Sequence, residues 1–175
     1  SHSISDEQGR LTSTRAYHTI PSEDDGLPGT NYDETIYAYD TMGRQNMVKS
    51  PGGTITRTVF DARGQAIRTY VGTCDTDATE TDPTGNNHPE NNMVLVSEMQ
   101  YDHGDGGDGN LTKTIQHIDN NPLNSRVTEM TYDWRNRLVA TDGELDFYQA
   151  QEYDNLDRVI QTDQHDTTAA GNLVG

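Results

Sequence analysis

The sequence predicts an all-β fold built from stacked antiparallel β-hairpins, each about 21 residues long. Three observations support this prediction. Aromatic-Asp dipeptides recur along the chain, each is followed at a fixed distance by a residue type that tolerates positive φ, and short runs of alternating apolar and polar residues flank the resulting turns. A single hairpin cannot bury an apolar face alone. We therefore expect neighbouring hairpins to lie side by side in one continuous sheet.

The aromatic-Asp dipeptides define the repeat. The first two and the last two are each 21 residues apart, which suits two strands with their turns. A weaker copy around Asp6 opens the chain. The dipeptides are Tyr39-Asp40, Phe60-Asp61, Tyr101-Asp102, Tyr132-Asp133 and Tyr153-Asp154.

The residue four positions after the aromatic predicts the turn type. It is Gly43, Gly64, Asn136 or Asp157, and all three residue types tolerate a left-handed backbone. An Asp three residues earlier predicts a type I turn that closes on this left-handed residue with a β-bulge. The Asp side chain is then expected to accept hydrogen bonds from turn amides.

Strand-like runs flank the turns on both sides. Incoming runs cover 54–60, 93–101 and 127–132, and outgoing runs cover 66–71, 138–141 and 159–162. Turn residues at 51–53 and 142–144 then reverse the chain toward the next hairpin. No helical period is sustained, so no long helix is predicted.

Three insertions break the period, at 21–33, 73–92 and 103–109. The sequence thus predicts a repeat region over 1–163, followed by a truncated next repeat or a disordered tail over 164–175. The first two insertions are acidic and polar, which favours solvated, mobile surface loops over partner-binding loops.

The third insertion is the candidate metal site. Asp102, Asp105, Asp108 and Asn110 lie on a glycine-rich turn, and clustered carboxylate and amide oxygens are the ligands that calcium prefers. The spacing departs from an EF-hand loop, which favours an enlarged flexible turn as the alternative. No other cofactor is predicted.

Composition limits the classes of function. The net charge of -17 disfavours nucleic-acid binding, which needs a concentrated basic surface. No apolar run approaches the roughly 20 residues of a membrane span, so no membrane insertion is expected. Cys74 is the only cysteine, so no internal disulfide can form. With 30% hydrophobic residues, disorder is the alternative to folding, and the alternating runs favour folding.

No motif of enzyme chemistry is present, so the chain is expected to be non-catalytic. The histidines lack metal-ligand spacing, and neither a nucleophile elbow nor a phosphate-binding loop occurs. The tyrosines of the dipeptides are interpreted as a packing ladder across hairpins, with exposed sugar-stacking rings as the alternative. Their expected partners are the arginines of the turns; the residues concerned are Tyr39, Tyr132 and Tyr153 with Arg44, Arg137 and Arg158.

The pattern Tyr-Asp-x-x-Gly-Arg-Leu, carried by five copies over most of the chain, resembles the YD-repeat (Rhs repeat) family. It also resembles the YD-repeat regions of bacterial wall-associated and Rhs-like proteins. In the family, many repeats coil into a hollow β-shell, as in Rhs proteins and Tc toxins, or form a cell-surface scaffold, as in teneurins. The resemblance implies that this chain forms an open arc of such a shell.

The expected function is therefore a structural segment of a large secreted or cell-surface bacterial protein, with an extracellular location. The alternative is an adhesion module that binds a glycan or a cell-surface partner, with or without calcium. The remainder of its own polypeptide is the first expected partner. Open sheet edges also predict self-association, because unpaired strand edges promote aggregation.

Overall fold

The all-β prediction is confirmed by a computed structural model, which describes residues 1–22, 24–104, 106–119, 122–144 and 147–165. Twelve antiparallel strands form one sheet in chain order, with β1 and β12 at its edges. Two single 3-10 turns, Asp102–Gly104 and Pro122–Asn124, are the helical elements of the described residues. The strands are β1 His2–Ser5, β2 Leu11–Tyr17, β3 Tyr32–Tyr39, β4 Gln45–Lys49, β5 Ile55–Phe60, β6 Ala66–Gly72, β7 Val94–Tyr101, β8 Leu111–Gln116, β9 Arg126–Tyr132, β10 Leu138–Asp142, β11 Tyr148–Tyr153 and β12 Val159–His165.

The chain divides into two compact units, Ser1–Leu95 and Val96–Gly175. In each unit the hairpins reverse at aspartate-led turns, which we call tips and number by their aspartate. Unit 1 contains tips 6, 40 and 61, and unit 2 contains tips 102, 133 and 154.

The predicted turn geometry is confirmed at the tips. At tip 40, the N–H of Gly43 donates to the carbonyl of Asp40 at 2.9 Å, and the N–H of Asp40 donates to the carbonyl of Arg44 at 2.9 Å. Gly43 has φ 79°, the left-handed conformation that closes the turn. Asn136 and Asp157 occupy the same position with φ 61° and 62°. The tip therefore requires a left-handed residue at this position, and Asn or Asp can replace Gly there.

In addition to the bulge that closes the turn at the left-handed residue, a further β-bulge follows each tip on the outgoing strand. There the register shifts, so that two residues of the outgoing strand oppose one residue of the incoming strand. A bulge of this kind bends the strand and increases its right-handed twist. The extra residues are Thr12, Asn46, Ile67, Thr112, Val139 and Ile160.

The first insertion is shorter than the 21–33 predicted, because β3 already begins at Tyr32. The Tyr32 ring is 3% exposed and anchors this end of the strand. The guanidinium of Arg15 lies 4.7 Å from its centroid, and the ring of Tyr17 lies 5.1 Å away. The predicted 164–175 segment overlaps β12, which runs to His165, and residues 166–175 lie outside the described residues.

The buried apolar cluster of unit 1 contains Ile55, Val59, Tyr70 and Met93. Ile55 and Val59 lie on one face of β5 together with Arg57. Strand residues from β5 and β6 thus converge here with Met93, which directly follows the 73–92 insertion.

The 73–92 insertion has many exposed residues, as expected of a surface loop, and also makes specific contacts. Asp75 pairs with Arg57 at 2.6 Å, and Pro83 is fully buried. The Asn91 side-chain amide donates to the carbonyls of Thr76 at 2.8 Å and Pro83 at 2.9 Å. Composition indicated a solvated loop, but these polar residues bond within the insertion and to the sheet. The insertion is therefore a packed part of unit 1.

We expect Asn46→Thr to stabilise the protein. Asn46 is 6% exposed, and its Oδ1 lacks a hydrogen-bond partner. At the equivalent bulge positions, the hydroxyls of Thr12 and Thr112 each donate at 3.1 Å to a carbonyl of the incoming strand. Removing a buried unpaired acceptor and adding this bond should raise the free energy of unfolding by about 1 kcal/mol.

Urea denaturation at equilibrium measures this change. The reverse substitution, Thr112→Asn, is the matched control and should lower the free energy of unfolding. A lower urea midpoint for Asn46→Thr would contradict the assignment of this bulge position.

Candidate functional site: the aspartate-led tips

Tips 6, 40, 61, 133 and 154 share one length, and we call them the regular tips. In each of them the aspartate fixes the turn through its own carboxylate. At tip 40, Asp40 Oδ1 accepts the N–H of Met42 at 3.0 Å and that of Arg44 at 2.8 Å. Amides two and four residues after the aspartate bind in the same way at tips 6, 61, 133 and 154. The carboxylate thus satisfies turn amides that would otherwise require water.

The second oxygen of the same carboxylate binds an arginine four residues later. Asp40 Oδ2 accepts Arg44 Nε at 2.6 Å, and the Asp40 side chain is only 3% exposed. The same pair forms at tips 6, 133 and 154 with distances of 2.8, 2.8 and 2.7 Å. Tip 61 is the exception, because Gln65 stands in place of the arginine.

These contacts shift the titration of the tip aspartates. Burial raises the pKa of Asp40, but the amide and guanidinium of Arg44 and the amide of Met42 outweigh it and hold the pKa below its usual value. The pKa of Asp6 is lowered by the same balance. The guanidinium of Arg137 lowers the pKa of Asp133, and the amide of Arg158 lowers that of Asp154.

The tip arginine also binds the next repeat. Arg44 places its guanidinium 4.8 Å from the centroid of the Phe60 ring, and its Nη1 donates to the Asp61 carbonyl at 2.9 Å. Arg137 repeats both contacts, 4.8 Å from the Tyr153 ring and 3.0 Å from the Asp154 carbonyl. We call this pair of contacts the arginine interlock. Arg10 makes the ring contact with Tyr39, at 4.7 Å.

The tyrosine hydroxyl completes the connection in the opposite direction. Tyr39 Oη donates to the carbonyl of Leu11 at 2.9 Å, and Tyr153 Oη donates to that of Leu138 at 2.8 Å. Each acceptor is the residue directly after the interlocking arginine. Tips 6 and 40, and likewise tips 133 and 154, are therefore joined by a cation–π contact and by a tyrosine hydrogen bond.

The predicted contact between tyrosines and tip arginines across neighbouring hairpins is confirmed for Tyr153, which contacts Arg137 of the preceding tip. Tyr39 contacts Arg10, an arginine that the prediction did not include. The contact crosses to the neighbouring hairpin because the aspartate holds its own arginine by Nε, which directs the outer face of the guanidinium toward that hairpin.

The enlarged tip 102 keeps the aspartate cap. Asp102 accepts the amides of Gly109 at 3.0 Å and Asn110 at 2.9 Å, and its own N–H donates to the Asn110 carbonyl at 2.8 Å. Asn110 thus occupies the arginine position, and its Nδ2 donates to Asn136 Oδ1 of the next tip at 2.8 Å. Gly107 is needed here because a Cβ would lie 2.7 Å from Asp102 Cγ.

The structure places three of the four predicted calcium ligands. Asp102 and Asn110 lie together at the base of tip 102, Asp108 is exposed, and Asp105 lies outside the described residues. Within the described ranges, no group of three or more His, Cys, Asp or Glu side chains is arranged to hold a metal ion. Calcium binding by Asp102, Asp105, Asp108 and Asn110 stays a prediction.

One polar cluster of unit 2 was not predicted. His117 Nε2 donates to Glu98 Oε1 at 3.0 Å, and His117 Nδ1 shares a hydrogen bond with the Ser125 hydroxyl at 2.9 Å. The three residues come from β7 and from both ends of the 117–125 connection, so sequence spacing gave no signal. The His117 side chain is 17% exposed, and its two bonds fasten the connection to β7.

The 73–92 insertion contacts tip 40. Glu80 Oε2 accepts the N–H of Thr41 at 2.8 Å, and Glu80 Oε1 accepts the Thr41 hydroxyl at 3.0 Å. Within the insertion, Asp82 accepts the Thr84 hydroxyl at 2.6 Å and the Asn86 amide at 2.8 Å, which lowers its pKa. These bonds explain why the acidic side chains of this segment stabilise its fold.

Comparison with known proteins shows the fold. No family model and no curated protein sequence matches the chain. Solved structures do match: a TcdB2-TccC3-Cdc42 crystal structure at TM-score 0.61 and 14% identity, covering 91% of this chain, and a TcdB2-TccC3-TEV crystal structure at 0.61 and 16%, covering 93%. The Photorhabdus luminescens Tc holotoxin pore with the TccC3 D651A mutation matches at 0.58 and 15%, covering 95%.

The similarity covers a small part of these larger proteins. This chain spans 7%, 7% and 8% of the three matched chains. It therefore has the fold of a segment of these Tc toxin chains. In the described part of the chain, no helix is long and apolar enough to cross a bilayer.

We expect Tyr153→Phe and Phe60→Tyr to have opposite effects on stability. Tyr153→Phe removes the hydrogen bond to Leu138 and should lower the free energy of unfolding by about 1 kcal/mol. In Phe60→Tyr, the new hydroxyl should reach the carbonyl of Gln45, the residue that follows Arg44, and stabilise the protein. Urea denaturation measures both changes, and equal shifts in the same direction would contradict the repeat equivalence.

We expect the stability of the protein to fall as the pH drops below about 4. The tip aspartates have lower pKa values in the folded state, so the unfolded chain binds more protons in this range. Their contribution is complete above the unfolded pKa and is lost as the pH falls through the folded pKa. Urea midpoints between pH 7 and pH 2.5 test this, and Asp40→Asn should flatten the profile. An identical wild-type midpoint at pH 6 and pH 3 would refute it.

Proposed function

We propose that this chain is a non-catalytic structural segment of a large secreted or cell-surface YD-repeat protein, in which it forms part of a β-shell or scaffold. The arginine interlock is the observation that carries this proposal. The carboxylate and guanidinium groups of tips 40 and 133 bind each other and the adjacent hairpin, and the hydroxyl of Tyr153 binds back to Leu138. Contacts that fasten one hairpin to the next are what a wall of stacked repeats requires.

The fold of the Tc toxin chains supports the same proposal, because a segment with a similar fold occurs there within much longer polypeptides. Low apolar content and high acidic charge suit a thin sheet with extensive contact to water. An extracellular location, with no cofactor and no nucleic-acid partner, is part of the proposal.

A second candidate function is adhesion, and one observation favours it. Trp134 at tip 133 is 83% exposed, and Arg135 stacks on its ring at 4.7 Å. Arg135 Nη1 in turn lies 3.4 Å from Asp157 Oδ1 of the next tip. A fixed, exposed indole is a suitable platform for a sugar ring or an apolar side chain of a partner.

The structural role of the tips is tested by Arg137→Gln, with Arg126→Gln as the matched control. Arg126 is an exposed arginine of β9 outside the tips, so both variants lose one positive charge. If the interlock fastens adjacent hairpins, amide hydrogen exchange in β11 and β12 should accelerate at least tenfold in Arg137→Gln. Exchange in unit 1 and in the control should remain unchanged. Equal exchange in both variants would overturn the proposal.

A glycan array, with and without calcium, separates the scaffold from the adhesion module. We expect no binding by the folded wild-type chain. Binding that is lost in Trp134→Ala would instead establish adhesion through tip 133. Comparing arrays with and without calcium also tests the predicted contribution of tip 102.

A further inference from the structure

We infer that the outer edge of β12, together with Arg158, is a docking surface for a further hairpin with an aromatic-Asp tip. The inference deepens the proposed function, on which it rests, by identifying the chemistry of the partner. It is based on comparison of Arg158 with the three equivalent arginines that the described structure shows in contact with the next repeat.

Arg158 is held by the aspartate of its own tip in the same way as the other tip arginines. Its Nε donates to Asp154 Oδ2 at 2.7 Å, and the amide of Arg158 donates to Asp154 Oδ1 at 3.0 Å, as at the other regular tips. Its guanidinium is thus held in the orientation that directs Arg44 and Arg137 toward the adjacent hairpin. Arg158 is preorganised for a partner.

The part of Arg158 that would contact an adjacent hairpin is exposed. The side chain of Arg158 is 73% exposed, against 37%, 29% and 19% for Arg10, Arg44 and Arg137. Each of those three arginines lies 4.7 or 4.8 Å from the centroid of an aromatic ring in the next repeat. The exposed guanidinium of Arg158 is thus free of the cover that an adjacent hairpin gives the other three arginines.

The strand beside Arg158 offers the remaining contacts. Val159 corresponds to Leu11 and Leu138, whose carbonyls accept the tyrosine hydroxyl of the next repeat. Val159 and Ile160 are 49% and 63% exposed. Since β12 is an edge strand, it also offers backbone groups for a further antiparallel strand.

The occupant must supply an aromatic ring directly before its tip aspartate. Residues 166–175 contain no aromatic residue, so they cannot supply the ring. A second copy of this chain would pair through β1, where Ser5 precedes Asp6 and no ring is available. We therefore assign the surface to an aromatic-Asp hairpin from outside these 175 residues.

A cyclic peptide provides a direct test. Residues 148–165 form the β11–β12 hairpin, and Tyr148 pairs with His165, so a D-Pro-Gly link across this pair closes the peptide in its hairpin form. N-methylation of the outward amides of its second strand prevents peptide stacking. Fluorescence anisotropy measures binding of the labelled peptide to the full chain.

We expect the peptide to bind and to slow amide exchange in β12. Serine in place of the peptide's Tyr153 should weaken binding about fivefold, and Arg158→Gln in the chain should do the same, because each removes the cation–π contact. Together the two changes should weaken binding no more than either one alone. Arg126→Gln in the chain is the matched control and should bind like wild type.

Several outcomes would overturn the inference. These are no binding up to the solubility of the peptide, binding that is insensitive to Arg158→Gln, and protection at His2–Ser5 in place of β12. Oligomers of the chain that the peptide does not dissociate would identify a second copy as the occupant. The Arg137→Gln exchange experiment is independent of these results, so the proposed function can hold if the inference fails.

Discussion

The fold depends on a carboxylate with two oxygens that bind different partners. In each regular tip, Oδ1 of the aspartate satisfies two amides of a tight turn, while at four of these tips Oδ2 holds the arginine four residues later. Both demands are met only when the turn closes on a left-handed residue, because that conformation brings the amide and side chain of the arginine back toward the aspartate. A side chain without two acceptor oxygens cannot satisfy both demands.

The geometry within one tip also determines how that tip contacts the next hairpin. An arginine held by Nε presents its guanidinium face and Nη1 outward, where the next hairpin supplies a ring and a carbonyl. A tip that contains this arginine thus orders the group that contacts the following hairpin. Stability in such an array is a sum of hairpin and nearest-neighbour terms, so a long wall can form without a thick apolar core.

The sequence was sufficient to predict the hairpins but not their contacts. The all-β fold, the strand-flanked turns and the left-handed position follow from residues near each aspartate, because these features are local. The arginine–aromatic register depends on the direction of a guanidinium, and the Glu98–His117–Ser125 cluster depends on strand pairing. Composition indicated the exposed positions of 73–92, but it gave no signal for the bonds from its acidic side chains to Arg57 and Thr41 or for the burial of Pro83.

Tip 61 shows how an incomplete tip is compensated. Gln65 replaces the arginine, and Phe60 lacks the hydroxyl that Tyr39 and Tyr153 use. The same hairpin contributes Ile55, Val59 and Tyr70 to the buried cluster that Met93 completes. Apolar burial of this kind stabilises by about 25 cal/mol per Å² and does not depend on an arginine. The insertion and the interlock are thus two solutions to one problem, which is how to fasten a thin hairpin to the structure around it.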